Sequence, residues 1–336
     1  MSWQLIESDA ALADVLAEAQ QVDSVVIDTE FMRRNTFFPE VALLQISFGG
    51  TAWLIDPLAI SDTGGLAALL TDPGVVTVLH SGSEDLEVFQ RWLGVLPQPL
   101  FDTQRAAALL DMGFGLGYGA LVEAVCHVAL EKGETRSDWL QRPLTESQCH
   151  YAAQDVIYLH DIWLSLSQLC REQDKYDWVL ADGEDAVATL ASNGRDYYKR
   201  IKSAWKLDQR QLASLVAICN WREDTARERN KPRGRIIDDK ACLQLAQSAP
   251  ASLSEMKASV ELPPPAARRY GERLLVLLGE QRDVPVDDLP QRLPPPMSSS
   301  QRDLSKKLKQ RVRDIALTLA VAPEILLGSK DYEILL

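Results

Sequence analysis

The sequence predicts an α/β domain with a mixed β-sheet, followed by one or more all-α helical modules. Three observations predict this fold class. Over the first 175 residues, short β-branched or apolar runs alternate with stretches of helical periodicity. From about Leu207 onward, apolar residues recur at helical spacing only. A proline- and serine-rich stretch at 284–300 then separates a last helical segment from the rest.

The length of 336 residues exceeds that of one typical domain. We therefore divide the chain into a mixed-sheet domain, a connecting segment, a helical module, a stiff exposed linker and a last helical segment, at residues 1–175, 176–206, 207–283, 284–300 and 301–336. The last segment is basic and too short to build a sizeable core alone.

Four apolar runs predict the strands of the first domain: Ser24–Ile27, Leu43–Phe48, Trp53–Ile55 and Val75–His80. The first three lie close together, and a Phe-Gly-Gly sequence precedes the third, which is typical of an antiparallel meander. Helical stretches at 65–70 and 84–93 alternate with the later runs. A mixed sheet flanked by helices is therefore expected.

Capping boxes predict where two helices begin. Ser81 followed by Glu84 forms one such box, directly after the fourth strand. Thr145 followed by Gln148 forms the other and opens a long helix that is expected to run to about Leu169.

The composition excludes several classes of protein. The N-terminal segment carries acidic residues throughout and is not a signal peptide, and no apolar run approaches the roughly 20 residues that cross a bilayer. We therefore expect a soluble, cytoplasmic protein. The five cysteines include no CxxC pair, and the four histidines form no HxxxH pattern, so zinc sites and disulfide frameworks are not supported.

The charge is distributed unevenly along the chain. The net charge is −13, which by itself argues against a nucleic-acid partner. Residues 1–180 hold 26 acidic and 9 basic residues, whereas residues 181–336 hold 22 acidic and 26 basic residues. A polyanion would therefore be attracted mainly to the second half, unless cations neutralise part of the first.

Asp28 and Glu30 end the first predicted strand. Residues two apart on a strand project from the same face, so the two carboxylates meet beside buried apolar residues. Like charges held so close are unfavourable unless a cation or a proton intervenes. Taken alone, the pair is equally consistent with a polar strand end that faces solvent.

Two further acids belong to predicted helices. Tyr151 and Asp155 are four residues apart, which places phenol and carboxylate on one helical face, about 6 Å apart at Cβ. Alone, this spacing is more often incidental. Asp85 follows Glu84, to which the capping box assigns a structural task, so Asp85 is the acid that is free to enter a site. His80 is expected to be a packed or hydrogen-bonding residue rather than a ligand.

Four carboxylates without histidine or cysteine suit hard cations, Mg²⁺ or Mn²⁺. Nuclease sites of this kind hold two ions about 3.5–4 Å apart, which clamp the attacking and leaving oxygens. A phenol beside them could position the attacking water, because its usual pKa of about 10 makes it a weak base.

The sequences VIDTEF, HSGSEDLEVF and YAAQDVIYL, in this order, closely resemble the three exonuclease motifs of the DEDD superfamily, in its tyrosine subclass. The chain as a whole resembles the bacterial ribonuclease D family. This resemblance implies a ribonuclease H-like fold for the catalytic domain. It also implies 3′→5′ hydrolysis of RNA by two-metal-ion catalysis, with release of nucleoside 5′-monophosphates.

The resemblance also implies a role for each site residue. Asp28 would bridge the two ions, and Glu30 and Asp155 would hold the ion that activates water. Asp85 would hold the second ion through water, and Tyr151 would orient the nucleophile. Two residues inside the first motif are implied contacts to the terminal nucleotide, Thr29 and Phe31; the latter is equally consistent with a core position.

Residues 207–246 resemble a helicase-and-RNase-D C-terminal (HRDC) module, and residues 321–336 resemble part of a second one. Members of the family usually continue for a few dozen residues beyond this point. We therefore expect residues 301–336 to form an incomplete second module that is less tightly folded than the first.

Three basic regions are candidate RNA contacts. The sequence RDYYKRIKSAW combines aromatic and basic residues, which suits single strands, although these aromatics could equally pack between domains. Charges crowd a helix end and loop near 227–235, and another run spans 306–313; solvated helix faces are the alternative for both. The candidate residues are Arg195, Lys199, Arg200, Lys202, Arg227, Arg229 and Lys231.

The function expected from these features is 3′→5′ exoribonuclease activity on structured RNA, with the 3′ ends of transfer-RNA precursors as the family-implied substrate and RNA as the only expected partner of a monomer. A 3′→5′ DNA exonuclease is the alternative within catalysis. The absence of the phosphate-binding G-x-x-x-x-G-K-[ST] motif weakens a role in proofreading. A non-catalytic RNA-binding or scaffold protein is the alternative outside catalysis.

Overall fold

The computed structural model describes residues 2–19, 21–130, 133–134, 137–191 and 196–336. The chain divides into two compact units. The first unit comprises residues 1–32, 39–192 and 298–336, and the second comprises residues 33–38 and 193–297. Among the described residues, no helix has both the length and the apolar character that crossing a membrane requires.

A mixed β-sheet forms the centre of the first unit. Its strands are β1 (Ser2–Ile6), β2 (Ser24–Met32), β3 (Glu40–Phe48), β4 (Thr51–Ile55), β5 (Val76–Leu79) and β6 (Leu100–Asp102), in the spatial order β1-β4-β3-β2-β5-β6. Strands β2, β3 and β4 form the expected antiparallel meander, while β1 runs parallel to β4, and β5 and β6 continue parallel to β2. The predicted mixed α/β sheet is therefore confirmed.

The two edge strands, β1 and β6, were not predicted from the sequence. Strand β6 has only three residues, and β1 alternates exposed with partly buried residues before it ends at Ile6. Each strand pairs on one side only: β1 with β4, and β6 with β5. Such short edge strands form because a neighbouring strand is present, so their local sequence carries a weak signal.

Helices cover both faces of the sheet and build the second unit. In the first unit, α1 to α7 span Asp9–Ala19, Gly64–Leu70, Ser83–Trp92, Thr103–Leu109, Tyr118–Cys126, Glu146–Glu172 and Tyr176–Ala191. In the second unit, α8 to α12 span Gln209–Glu228, Arg233–Ile236, Asp239–Ser248, Leu253–Ser259 and Pro264–Arg282. In the first unit again, α13 to α15 span Ser299–Leu319, Pro323–Leu326 and Ser329–Ile334.

The alternation of side chains along β2 assigns each residue to one face of the sheet. Val26 packs with α6 in one core cluster, whereas Val25 and Ile27 pack in a second cluster that includes residues of α1, α2 and α3. Because residues two apart share a face, Asp28 and Glu30 lie on the α6 side and Thr29 lies on the α3 side. The pleat of one strand thus supplies residues to both helices.

The predicted capping box at Ser81 and Glu84 is wrong. Helix α3 begins at Ser83, its N-cap residue is Gly82, and no side chain of the predicted box caps it. Ser81 instead adopts a left-handed backbone conformation with a φ of 58°. The amides of Ser81 and Gly82 donate to the carboxylate of Asp102, both at 3.0 Å. A distant acid at the end of β6 satisfies these amides, and local sequence could not reveal it.

The capping box at Thr145 is confirmed. The Thr145 hydroxyl accepts from the amide of Gln148 at 3.1 Å, and the Gln148 side chain accepts from the amide of Thr145 at 3.0 Å. Helix α6 then runs to Glu172, three residues beyond the predicted end.

Two predicted connections have more structure than the sequence indicated. Residues 176–191 of the predicted connecting segment form α7 of the first unit. The predicted linker at 284–300 has mostly exposed side chains, but hydrogen bonds connect it to other residues of the second unit. The guanidinium of Arg210 donates to the carbonyl of Val284 at 2.8 Å, and that of Arg292 donates to the carbonyl of Leu207 at 3.1 Å.

The C-terminal helices belong to the first unit. Helix α13 buries one face there, and the chain after it is held by hydrogen bonds. The amide of Ala322 donates to the carbonyl of Ala108 at 2.8 Å. The ammonium of Lys175, whose residue is only 4% exposed, donates to the carbonyls of Ala320 and Leu109 at 2.8 and 2.9 Å. The assignment of residues 301–336 to a second HRDC-like module stays a prediction.

Candidate active site

Three carboxylates from two elements of the first unit converge at one point. Strand β2 contributes Asp28 and Glu30, and helix α6 contributes Asp155. One oxygen of each carboxylate lies within 4.8 Å of the others, and all three residues are partly buried. The strand face and the helix face inferred above therefore meet at the carboxyl groups.

The fourth predicted acid, Asp85, comes from α3, and its charge acts on both Asp28 and Glu30. It is the third residue of α3 and is 8% exposed. The hydroxyl of Thr29, which alternation directs toward α3, donates a short hydrogen bond to the Asp85 carboxylate. Thr29 is 6% exposed. Its hydrogen bond with Asp85 gives it a structural role in addition to its predicted contact with the terminal nucleotide.

Burial raises the pKa of every acid in the cluster, and the charges of the other acids raise the pKa of Asp28 and of Glu30 further. Burial, followed by the charges of Asp85, Asp155 and Glu30, raises the pKa of Asp28 well above its usual value. Burial, followed by the charges of Asp155 and Asp85, raises the pKa of Glu30 to about 9. Burial raises the pKa of Asp155 to about 7, and burial also raises that of Asp85 to about 6.

These shifts have a direct chemical meaning. Four carboxyl groups cannot all be ionised near neutral pH unless positive charge compensates them. The donor atoms are all oxygens at this site, which suits Mg²⁺ or Mn²⁺ rather than zinc or copper. The residues therefore fit a divalent-metal centre, held by Asp28, Glu30 and Asp155.

Tyr151 lies one helical turn before Asp155, and its ring is held from two sides. The indole of Trp139, which is 2% exposed, lies 6.1 Å from the Tyr151 ring, centroid to centroid. A Cβ atom added to Gly133 would come within 2.5 Å of the ring, so only glycine permits this approach. Burial, followed by the charge of Asp155, raises the pKa of Tyr151. The phenol therefore stays protonated and acts as a hydrogen-bonding group.

Two further side chains, Tyr118 and His80, support the helix that carries Asp155, and the first of them was not predicted from the sequence. The Tyr118 hydroxyl donates to the carbonyl of Gln154, the residue before Asp155, at 2.9 Å. Burial, followed by the charges of Asp155 and Asp28, raises the pKa of Tyr118. The ring of His80 packs edge-on at 5.5 Å from that of Tyr118, and its Nδ1 lies 3.0 Å from the Thr103 hydroxyl. No motif marks Tyr118 in the sequence.

A buried ion pair lies beside a bulge in the meander, and the sequence analysis missed it. The pairing of β2 with β3 shifts between Glu30 and Phe31, so that Ala42 has no partner on β2. The guanidinium of Arg142 donates to the carbonyl of Ala42 at 2.7 Å and binds both carboxylate oxygens of Asp56 at 2.5 and 2.6 Å. The ion pair therefore holds β3 beside Glu30. Phe31, on the other side of the bulge, is partly buried.

The predicted basic RNA-binding residues lie in the second unit, whereas the acids, Tyr151 and the predicted nucleotide contacts Thr29 and Phe31 lie in the first. Lys199, Arg200 and Lys202 are exposed. Tyr197 and Tyr198 are partly buried against the apolar core of the second unit, with Lys199 over the Tyr198 ring and Arg200 over that of Tyr197. Arg195 lies outside the described residues.

The basic residues near the end of α8 have partners of their own. Arg227 donates to Glu223 at 2.8 Å, and Arg229 donates to the hydroxyl of Tyr270 at 2.7 Å. Lys231 is exposed. The proposed RNA contacts of these three residues stay predictions, and for Arg227 a structural role is already evident.

Comparison with family models and known proteins supports this description. Residues 3–171 match a model described as a 3′-5′ exonuclease, and residues 211–278 match the HRDC domain. The chain is 44% identical to the ribonuclease D of Pseudomonas paraeruginosa over 335 residues, covering 99% of this chain and 89% of that protein. It is 36% identical to the ribonuclease D of Escherichia coli over 342 residues, covering 100% of this chain and 90% of that protein.

The same likeness is found among solved structures. The crystal structure of Escherichia coli RNase D, described as an exoribonuclease involved in structured RNA processing, aligns with a TM-score of 0.91. The sequence identity in this comparison is 35%, and the alignment covers 99% of this chain and 89% of that one.

Proposed function

The chain belongs to the ribonuclease D family and is a 3′→5′ exoribonuclease, and from this premise we propose that it trims the 3′ ends of structured RNA at the carboxylate cluster of the first unit. The observation that carries the assignment to this site is the convergence of Asp28, Glu30 and Asp155 within 4.8 Å. In a family of exonucleases, a cluster of partly buried, oxygen-only ligands is the feature best suited to hydrolysis of phosphodiesters.

Each site residue has a role in this proposal. Asp28, Glu30 and Asp155 would hold divalent cations, and Asp85, whose carboxylate accepts a hydrogen bond from Thr29, would complete the negative charge of the site. Two such ions, when bound, stabilise the charge that develops on the attacking and leaving oxygens. Bound cations would neutralise the negative charge of the acids, so the carboxyl groups would be ionised. The protonated Tyr151 hydroxyl orients the attacking water by a hydrogen bond.

We propose transfer-RNA precursors as the substrate class and nucleoside 5′-monophosphates as the products. The support for structured RNA is the description of the Escherichia coli relative, which aligns over nearly the whole chain. The exposed bases Lys199, Arg200 and Lys202 and the exposed basic face of α13 are the proposed contacts to the phosphate backbone. A monomeric, cytoplasmic enzyme with RNA as its only partner completes the proposal.

The direct test follows a 5′-labelled RNA that carries a single-stranded 3′ tail. The expected result is a ladder that shortens from the 3′ end with Mg²⁺ or Mn²⁺ and is lost in EDTA. Asp28→Asn and Asp85→Asn are expected to abolish the ladder. Glu84→Gln serves as the matched control, because this neighbour of Asp85 carries the same charge but is exposed.

Two other outcomes would contradict the proposal. A gel shift of intact RNA without shortening would identify a binding protein. Shortening of a DNA strand of the same sequence, at a rate equal to or above that of the RNA, would identify a DNA exonuclease.

Reversal of the charges of Lys199, Arg200 and Lys202 is expected to weaken binding of structured RNA and to reduce the salt dependence of that binding.

A further inference from the structure

Residues 33–38 of the loop between β2 and β3 belong to the second unit, although both strands belong to the first. Met32 pairs with Glu40 at the ends of these two strands, so residues 33–39 form the tip of a hairpin. Strand β2 of this hairpin carries Asp28 and Glu30. Glu30 lies only three residues before Arg33, which limits the intervening chain to about 10 Å.

The side chain of Asn230 binds the backbone of this tip. Its amide oxygen accepts from the amides of Phe37 and Phe38, both at 3.0 Å. Asn230 follows the end of α8 and has a left-handed backbone with a φ of 47°, a conformation that asparagine and glycine adopt most readily. The carbonyl of Phe37 in turn accepts from the guanidinium of Arg33, at 3.0 and 2.8 Å. The backbone of Phe37 is thus fixed on both of its polar groups.

The ring of Phe37 is fixed as well. It is 7% exposed and packs on Ala226 and Ile236. The guanidinium groups of Arg227 and Arg233 lie 4.9 and 4.7 Å from the ring centroid. Cations at this distance from an aromatic ring attract it, and more strongly where water is excluded.

One buried acid holds both of these cations in place. Glu223 is 4% exposed and accepts from Arg227 at 2.8 Å and from Arg233 at 2.9 Å. Although burial raises the pKa of Glu223, its hydrogen bond and ion pair with Arg233 lower the pKa overall. The basic loop after α8, which the sequence analysis regarded only as a candidate RNA contact, is therefore built to hold Phe37.

We propose that Asn230 and Phe37 are positioning residues for catalysis. By holding the tip of the β2–β3 hairpin, they fix the end of the strand that presents Glu30 to the cluster. Residues outside the carboxylate cluster therefore affect the chemical step itself, in addition to any contact that they make with RNA. A displacement of about 1 Å at a catalytic group can cost up to about 100-fold in rate. This inference rests on the proposed active site.

The test compares Asn230→Gly with Asn230→Asp. Glycine keeps the left-handed backbone but removes the acceptor, whereas aspartate keeps an acceptor oxygen for the two amides. With a short single-stranded oligoribonucleotide and saturating Mn²⁺, Asn230→Gly is expected to lower kcat about tenfold with little change in KM. Asn230→Asp is expected to restore most of kcat, and Phe37→Ala is expected to behave like Asn230→Gly.

A purely structural role predicts a different pattern. Thermal unfolding and Mn²⁺ titration of each variant provide readouts that do not depend on activity. A lower melting temperature with unchanged kcat, or a change confined to KM, would overturn the positioning role. An inactive wild-type enzyme would instead contradict the proposed function, so the two failures are distinguishable.

Discussion

Asp155→Asn should stabilise the metal-free protein while it abolishes nuclease activity. Burial raises the pKa of Asp155 from its usual 3.8 to about 7, so the ionised group costs at most about 4 kcal/mol in the folded state. In the wild-type protein, a proton bound by a neighbouring acid of the cluster relieves part of this cost. We therefore expect a net gain in stability of about 2 kcal/mol from the substitution. Asparagine keeps the shape of the side chain and removes its charge.

The sign of this effect depends on pH. The folded protein binds a proton on Asp155 more tightly than the unfolded chain does, so its stability falls as pH rises from about 4 to about 7 and is then constant. The advantage of Asp155→Asn should therefore be greatest near pH 8 and disappear near pH 4. Divalent cations should reverse the order, because the wild-type protein keeps all of its carboxylate ligands and binds the cations more tightly than the variant does.

Thermal unfolding in EDTA, measured at several pH values, tests this reasoning. Near pH 8 the variant should melt roughly 4–8 °C above the wild type. Asp161→Asn is the matched control, because Asp161 lies on the same helix and is exposed; it should change the melting temperature little at any pH. A variant that melts lower than the wild type in EDTA near pH 8, or a difference that does not vary with pH, would refute the argument.

Three further predictions follow from other side chains of the first unit. Lys175→Met should lower stability by about 1–3 kcal/mol in urea unfolding, because the buried carbonyl of Leu109 and the partly buried carbonyl of Ala320 lose their donor; an unchanged midpoint would contradict this. Arg142→Met should cost about 3–5 kcal/mol, because Asp56 is left buried without its partner, and Arg142→Lys should rescue little of it. Tyr151→Phe should lower kcat about 10- to 100-fold in single-turnover assays without weakening Mn²⁺ binding measured by calorimetry.

The sequence alone predicted much of the architecture, because several signals are local. Thr145 and Gln148 cap each other across three residues, so the start of α6 could be read directly. The meander of β2 to β4 follows from three closely spaced apolar runs. Strand and helix periodicity likewise place Asp28 with Glu30, and Tyr151 with Asp155, on common faces. The resemblance to known motifs then implied that these pairs belong to one site.

Other features depend on contacts between distant segments, and only the tertiary structure decides them. Asp102 replaces the predicted local cap of α3 from about 20 residues away, and Tyr118 supports Asp155 without any motif to mark it. The sequence identified a basic loop after α8, but charge alone cannot distinguish a solvated cation from one held over Phe37 by Glu223. Periodicity reports which face a side chain occupies, whereas the partner on that face is determined by how the whole chain packs.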